Sequence, residues 1–337
     1  MNILFIAPPS EFTQGIKRTL ERRGARVFYI NERTNYLVPR PWRESMLLWT
    51  FTIRKFQFLK KINKNIFNRR LLKLITTFRP DILLTTKGTT IRSSTLDVYR
   101  SRGIKTVNWW MENPYYPLYW PWVKKHYADF QYFLVVGSAA VQDLPSTLRC
   151  RVYFLPPAVN GETFEQINIT DEDRKRYACD VCFVGARYPE REVMLSAVAQ
   201  LGVKLKIFGW HDWKTSPLVS FWHGPLTPRE FAKAFRIATI SLNSNLYPTQ
   251  GSVNRKTFEI LAAGGFELCD YQEDITKLFG EGKEIEIYRS TEELLTKIKY
   301  YLANPDQRDR IANAGHARVM RDHTLDARVE ALLNTIQ

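Results

Sequence analysis

The sequence predicts an α/β protein built from two Rossmann-like halves, and three observations carry the prediction. Its 337 residues exceed one ordinary core and fit two domains of roughly 150 residues each. Short apolar runs alternate with helical patterns, which implies parallel sheets covered on both faces. The alternation breaks at Pro156 and restarts at Asp180. The expected boundaries are 1–157 for the first domain, 158–177 for a linker and 178–310 for the second domain, with C-terminal helices over 311–337 packing back on the first.

In chain order, Asn2 to Ala7 is a short apolar run ended by Pro8-Pro9-Ser10. A helical pattern covers Thr13 to Arg23, Gly24 stops it, and Arg26 to Ile30 reads as a second strand. A basic helical stretch leads into Arg79-Pro-Asp-Ile-Leu-Leu-Thr-Thr-Lys-Gly88, which repeats the strand pattern. Helices are expected over Ser93–Arg102 and Ser138–Leu148, and strands at Lys105–Trp110, Tyr132–Val136 and Arg151–Leu155. The polar run to Tyr177 reads as the linker. Strands then recur at Asp180–Gly185, Leu205–Gly209, Thr239–Leu242 and near Glu284–Tyr288. Helices are expected over Glu190–Leu201, Pro228–Ile237, Thr291–Ala303, Pro305–His323 and Leu325–Ile336.

A hydrophobic content of 45% with 25% charged residues excludes extensive disorder. The four cysteines are scattered; Cys179 and Cys182 form one CxxC with no second pair or histidine cluster, so they read as buried thiols. Met1-Asn-Ile-Leu-Phe-Ile-Ala7 lacks the basic start and long apolar core of a signal peptide. The nearest apolar run, Met46–Ile53, is far short of the roughly 20 residues that span a bilayer. A cytoplasmic protein is expected.

The net charge of +15 is concentrated between Glu44 and Asp81, where Arg54, Lys55, Lys60, Lys61, Lys64, Arg69, Arg70, Lys73 and Arg79 meet no acid. Trp49, Phe51, Phe56, Phe58, Phe67 and Phe78 run through the same stretch. Two readings fit: an amphipathic basic helix over 54–79 meeting membrane phospholipid, nucleic acid or another anionic polymer, or a solvated face whose aromatics pack inward.

The chemistry concentrates in Ser241 to Asp270, a strand, a polar glycine-bearing loop, a helix and a strand in one run. A helix fed by such a loop offers unpaired N–H groups and a positive dipole end to an anion. Arg255 and Lys256 stand in its first turn, where a purely structural helix favours acids. Gly251 and Ser252 can present amides, Asn243 ends the preceding strand, and Asn254 is placed to cap the helix. Glu259, four residues past Arg255, either pairs with it or takes hydrogen bonds from two adjacent sugar hydroxyls. Arg187 follows the strand at 180–185 and can point at a phosphate in the same way, while Arg191, a turn further in, reads as a partner for Glu192 or a neighbour. After the next strand Gly209 permits close approach of a ligand, Trp210 offers a stacking face, and His211 is either a titrating group or a surface residue. In the first half Glu112 stands among Trp109, Trp110, Tyr115 and Tyr116; aromatic neighbours would desolvate it and suit it to general-base work, or it caps a turn. Glu11 is a weaker candidate of the same kind.

Asp180–Glu192, the Leu242-Asn-Ser-Asn run, Asn254–Gly264 and Asn304–Thr324 together resemble the CgeB-like (spore maturation protein type) glycosyltransferases, relatives of group 1 glycosyltransferases. The resemblance covers roughly Cys179 to Leu333; in the first half only Trp109–Pro114 and Phe154–Phe164 share it. It implies the GT-B fold, two Rossmann-like domains whose parallel sheets face an interdomain cleft. It also implies a metal-independent hexosyltransferase without a cofactor, which takes a UDP- or GDP-type sugar on the second domain and an acceptor, a polymer, on the first. The basic helix over 54–79 offers a way to recruit an anionic acceptor such as modified DNA. Arg187, Arg255 and Lys256 would neutralise the diphosphate, and Glu259 matches the glutamate that binds the donor ribose. Retaining relatives carry a second glutamate eight positions earlier, where this chain has Gly251, so retention and inversion with Glu112 as base both stay open. A binding protein without catalysis, using 54–79, is the alternative.

Overall fold

The computed structural model describes residues 1–34, 36–37, 56–165, 167–245 and 251–336. Met46–Ile53, Trp49, Phe51, Arg54 and Lys55 lie outside the described residues, as do residues 246–250 of the loop before Gly251. The chain divides into two compact units, Met1–Pro156 with Val329–Gln337, and Pro157–Arg328.

The first unit holds six parallel strands: β1 (Asn2–Ala7), β2 (Arg26–Asn31), β3 (Ile82–Thr85), β4 (Lys105–Trp110), β5 (Tyr132–Val135) and β6 (Arg151–Phe154). Their order is β2-β1-β3-β4-β5-β6. The helices between them are α1 (Glu11–Arg22), α2 (Gln57–Thr77), α3 (Ser93–Ser101), α4 (Trp120–His126) and α5 (Ala139–Asp143). The last is shorter than the expected 138–148 because Pro145 cannot continue a helix. Phe67, Leu71 and Leu74 of α2 enter the core with Leu4, Ile6, Trp110 and Phe133. The stripe satisfies the inward reading of the basic helix, yet Phe58 is 62% exposed and Ile62 is exposed as well. Apolar surface therefore stands on both sides of α2.

The second unit begins with α6 (Gly161–Glu165) and α7 (Asp171–Tyr177), so the stretch read as a linker carries helical structure. Strands β7 (Val181–Val184), β8 (Leu205–Phe208), β9 (Ile240–Asn243), β10 (Glu267–Asp270) and β11 (Glu286–Tyr288) follow, interleaved with α8 (Pro189–Ala199), α9 (Pro228–Ile237), α10 (Arg255–Ala262) and α11 (Glu273–Leu278). Helices α12 (Thr291–Ala303), α13 (Pro305–Asp322) and α14 (Leu325–Thr335) close the chain, the last running from this unit into the first. All pairings are parallel, in the order β11-β10-β9-β7-β8. Val181 and Phe183 enter one core cluster and Cys182 and Val184 another, because successive strand residues point to opposite faces. Both faces of this sheet are thus buried, as in a doubly wound fold. All four cysteines are buried and free. Among the described residues no helix is long and apolar enough to cross a membrane.

Candidate functional site

The order of the second sheet reverses between β9 and β7, and such switch points are where open parallel sheets receive ligands at their carboxyl ends. Arg191, in the first turn of α8, spans this point. Its Nη1 donates to the Ala186 carbonyl after β7 at 3.0 Å, and its Nη2 to the Ser244 carbonyl after β9 at 2.8 Å. The guanidinium lies 5.5 Å from the Phe183 ring centroid and 5.0 Å from that of Tyr188. Its Nε is buried with no hydrogen-bond partner, and no ion pair to a carboxylate is found for it among the described residues. Burial lowers its pKa from that of a free guanidinium.

Arg187 behaves otherwise. Its Nε and Nη2 donate to the two Glu192 oxygens at 3.0 and 2.9 Å, and its Nη1 to Thr215 Oγ1 at 2.9 Å. Ser216 also donates to Glu192, and Arg187 with Ser216 holds that carboxyl below the usual range. The expected pairing is thus exchanged: Arg187 takes Glu192, and Arg191 takes carbonyls. The reason is reach, since Arg187 sits in the loop just outside α8 and folds back along its first turn.

Helix α10 starts as expected, with Asn254 Oδ1 accepting from Thr257 N at 3.2 Å. Arg255 Nε donates to Glu259 Oε1 at 2.8 Å, so the intrahelical pair forms and the Glu259 carboxylate is engaged on its own helix. Lys256 is half-buried, with its ammonium 5.8 Å from the Phe231 ring centroid. Burial lowers its pKa; Glu259 favours the charge, while Arg191 and Arg255 oppose it. Arg191 and Lys256 therefore feel one another, one from each helix start.

Beneath α10 runs a buried polar network. Asn243, expected to face a ligand, is buried and committed: its Nδ2 donates to Glu267 Oε1 at 2.8 Å, Thr257 Oγ1 at 3.0 Å and Asn254 Oδ1 at 3.2 Å. Its Oδ1 accepts from Asn254 Nδ2 at 3.1 Å. Glu267 is fully buried, and burial pushes its carboxyl up to about 7 against the help of Asn243 and Thr257. Gly251 has φ of 74°, the left-handed region that suits glycine, and its amide donates to Gln272 Oε1 at 2.8 Å instead of being presented to an anion. Ser252 is buried beside it. Asp270 holds the start of this loop, accepting from Asn245 Nδ2 at 3.2 Å and from Gln272 Nε2 at 2.8 Å. A cavity of about 390 Å³ opens at the ends of β10 and β11, lined by Glu190, Met194, Asp270, Gln272, Tyr288 and Arg289 among others.

Gly209 is required by a different neighbour from the one expected. A Cβ there would meet the Gly185 carbonyl at 2.2 Å and the Trp213 indole at 2.7 Å, so protein backbone, not a ligand, fills the space. Trp210 is 70% exposed and offers an open ring face. His211 is exposed at the start of a short 3-10 turn, 5.8 Å from the Trp222 ring. In the first unit Trp109 and Trp110 are buried, but the Glu112 side chain is 52% exposed, with Lys87 Nζ 3.6 Å away. The aromatic desolvation expected for Glu112 is absent because the rings turn into the core while it turns out. Lys87 also donates to Tyr119 Oη at 2.8 Å.

Among the described residues no group of three or more His, Cys, Asp or Glu side chains is placed to hold a metal ion. Residues 187–334, which include Arg187, Arg191 and all of α10, match a family model described as glycosyl transferase-like. No curated protein matches the chain in sequence. Solved structures do resemble this chain along its whole length. A glycosyltransferase from Rickettsia africae has a TM-score of 0.67 at 13% identity, covering 99% of this chain and 97% of its own. Sucrose-phosphate synthase from Thermosynechococcus elongatus has 0.70 at 10% identity, covering 99% and 98%. HepE from Anabaena, in complex with UDP-glucose, has 0.66 at 10% identity, covering 99% of each chain. At such identities the likeness establishes the fold, which is GT-B.

Proposed function

We propose that the protein is a glycosyltransferase of the CgeB-like branch, acting in the cytoplasm. It moves a hexosyl group from a UDP- or GDP-type sugar to a hydroxyl or amide on a protein, polysaccharide or other polymer. The observation that carries the reading is Arg191 at the sheet's switch point, laid between two carbonyls without a carboxylate partner and electrostatically coupled to Lys256. Two desolvated cations without matched anions are poised for a diphosphate. The family match over 187–334 and the UDP-glucose bound by HepE support it.

In the reaction the anomeric carbon exchanges its bond to a diphosphate oxygen for one to the acceptor, and the acceptor proton passes to a base. The nucleoside diphosphate leaves with charge that Arg191, Lys256 and the N-terminus of α10 stabilise, in place of a metal. Glu112 is the proposed base, with His211 as a second proton carrier, and the exposed face of Trp210 is available for stacking. Calorimetric titration with UDP and GDP in the presence of EDTA tests this. Arg191→Ala and Lys256→Ala are each expected to weaken binding by about tenfold or more. Unchanged affinity in both, or binding abolished by EDTA, would overturn it.

A second reading concerns α2, where Phe58 and Ile62 are exposed beside Lys60 and Lys61. Apolar groups among cations suit an anionic surface, of membrane phospholipid or of a nucleic acid acceptor. Charge reversal of Lys60 and Lys61 should abolish sedimentation with anionic vesicles; equal sedimentation of variant and parent would remove the membrane arm.

A further inference from the structure

A fully buried glutamate on a strand covered on both faces is an expensive residue, because an ionised carboxylate loses its hydration there. Glu267 occupies such a position at the start of β10, beside Ser241 of β9. Its Oε2 has no hydrogen-bond partner, so the side chain is not satisfied as a free-standing core group would be. Its Oε1, by contrast, collects two donors from the site above: Asn243 Nδ2 at 2.8 Å and Thr257 Oγ1 at 2.9 Å. Thr257 lies in the first turn of α10, and Asn243 is joined through both ends of its amide to Asn254, the residue that caps that helix. The capping residue and the first turn are therefore tied to one carboxyl group on the neighbouring strand. Lys256 lies between Asn254 and Thr257 in sequence, and with Asp270 it is one of the charges that act on Glu267.

We infer that Glu267 is a positioning residue for the donor: acting through Asn243 and Thr257, its carboxyl group sets the start of α10 and hence where Lys256 meets the diphosphate. The inference rests on the reading of α10 as the donor's phosphate site. It distinguishes Glu267 from a buried structural acid by what it holds, since one donor, Thr257, lies in the first turn of α10 and the other, Asn243 at the end of β9, is bonded at both ends of its amide to the capping Asn254.

The test compares Glu267→Gln, Glu267→Ala and Lys256→Ala in the full chain, by UDP calorimetry and by amide hydrogen exchange over 254–258. Glutamine keeps an oxygen acceptor in the same place and should hold the UDP Kd within about threefold of the parent. Alanine leaves Asn243 and Thr257 without their acceptor and should raise Kd by about tenfold or more, with faster exchange at the start of α10. If Glu267→Ala binds UDP as the parent does while Lys256→Ala does not, the inference falls and the donor reading stands. If neither the parent nor any variant binds UDP or GDP, the donor reading falls, and with it the inference. Should Glu267→Ala fail to fold, Thr257→Val cuts one link at nearly constant volume; parent-like Kd and exchange in that variant would overturn the inference equally.

Discussion

The starts of α8 and α10 are built alike and make the most informative comparison in the molecule. Each carries two cations, one of them paired with a glutamate of the same helix. At α8, Arg187 is locked to Glu192 by two hydrogen bonds, and Arg191 rests on the Ala186 and Ser244 carbonyls. At α10, Arg255 is joined to Glu259 at 2.8 Å, and Lys256 lies against Phe231. In both, the cation nearer the loop is neutralised by its own helix, and the one further in keeps an unmatched charge. A count of cations in a helix's first turn therefore overstates what a bound anion would meet. The relevant charge is the desolvated one, whose attraction is least screened by solvent.

Glu192 of α8 and Glu267, on β10 beneath α10, sharpen the contrast because their environments push them in opposite directions. Glu192, held by Arg187 and Ser216, titrates below an ordinary glutamate, so it adds stability above that ordinary value and loses it as pH falls through the folded one. Glu267, desolvated beneath α10, is pushed up to about 7 from 4.5. The folded state then holds a proton that the unfolded state has lost, so its contribution is complete below pH 4.5 and disappears as pH rises through about 7. The expected loss is about 3 kcal/mol between those limits. Urea unfolding from pH 4 to 9 checks both: Glu267→Gln should remove the decline toward neutral pH, and Glu192→Gln should flatten only the acid limb. Identical pH profiles for both variants would mean that the two helix starts are not electrostatically distinct.

Much of this architecture was legible in the sequence, for reasons that also mark where legibility ends. Strand β4 and helices α9 and α12 have the expected bounds, because a buried strand shows as an apolar run and these helices begin with Thr-Pro or Ser-Thr signals. Helix α7 reads as linker in the sequence because Asp171–Arg176 is polar throughout. Its stability comes from elsewhere, through the Thr170 capping box, Lys233 on Asp173 at 2.7 Å and Arg176 on Glu230 at 2.9 Å. At the site, Arg255, Lys256 and Asn254 were found from the loop-to-helix pattern. The roles of Arg187 and Arg191 were not, since which arginine reaches Glu192 depends on side-chain path and not on spacing. Glu267 leaves a visible trace, an acid at the head of Glu-Leu-Cys-Asp270, where the middle of a strand buried on both faces should carry only apolar residues.

The weakest expected effect is also the one that bears most directly on the comparison. If the outer cations serve their own helices, Arg187→Ala and Arg255→Ala should change UDP affinity by no more than about threefold, well below the loss expected for Arg191 or Lys256. Their cost in stability should be small too. Arg255 is 47% exposed and its pair is of the i,i+4 kind, worth about 0.5 kcal/mol or less, whereas Arg187 is more enclosed and adds a bond to Thr215. Thermal melts and calorimetry on the two variants measure both quantities at once. Should Arg255→Ala weaken UDP as much as Lys256→Ala, the Arg255–Glu259 pair must open when the donor binds. Glu259 would then be released to accept hydroxyl hydrogen bonds, and the two helix starts would work by different rules.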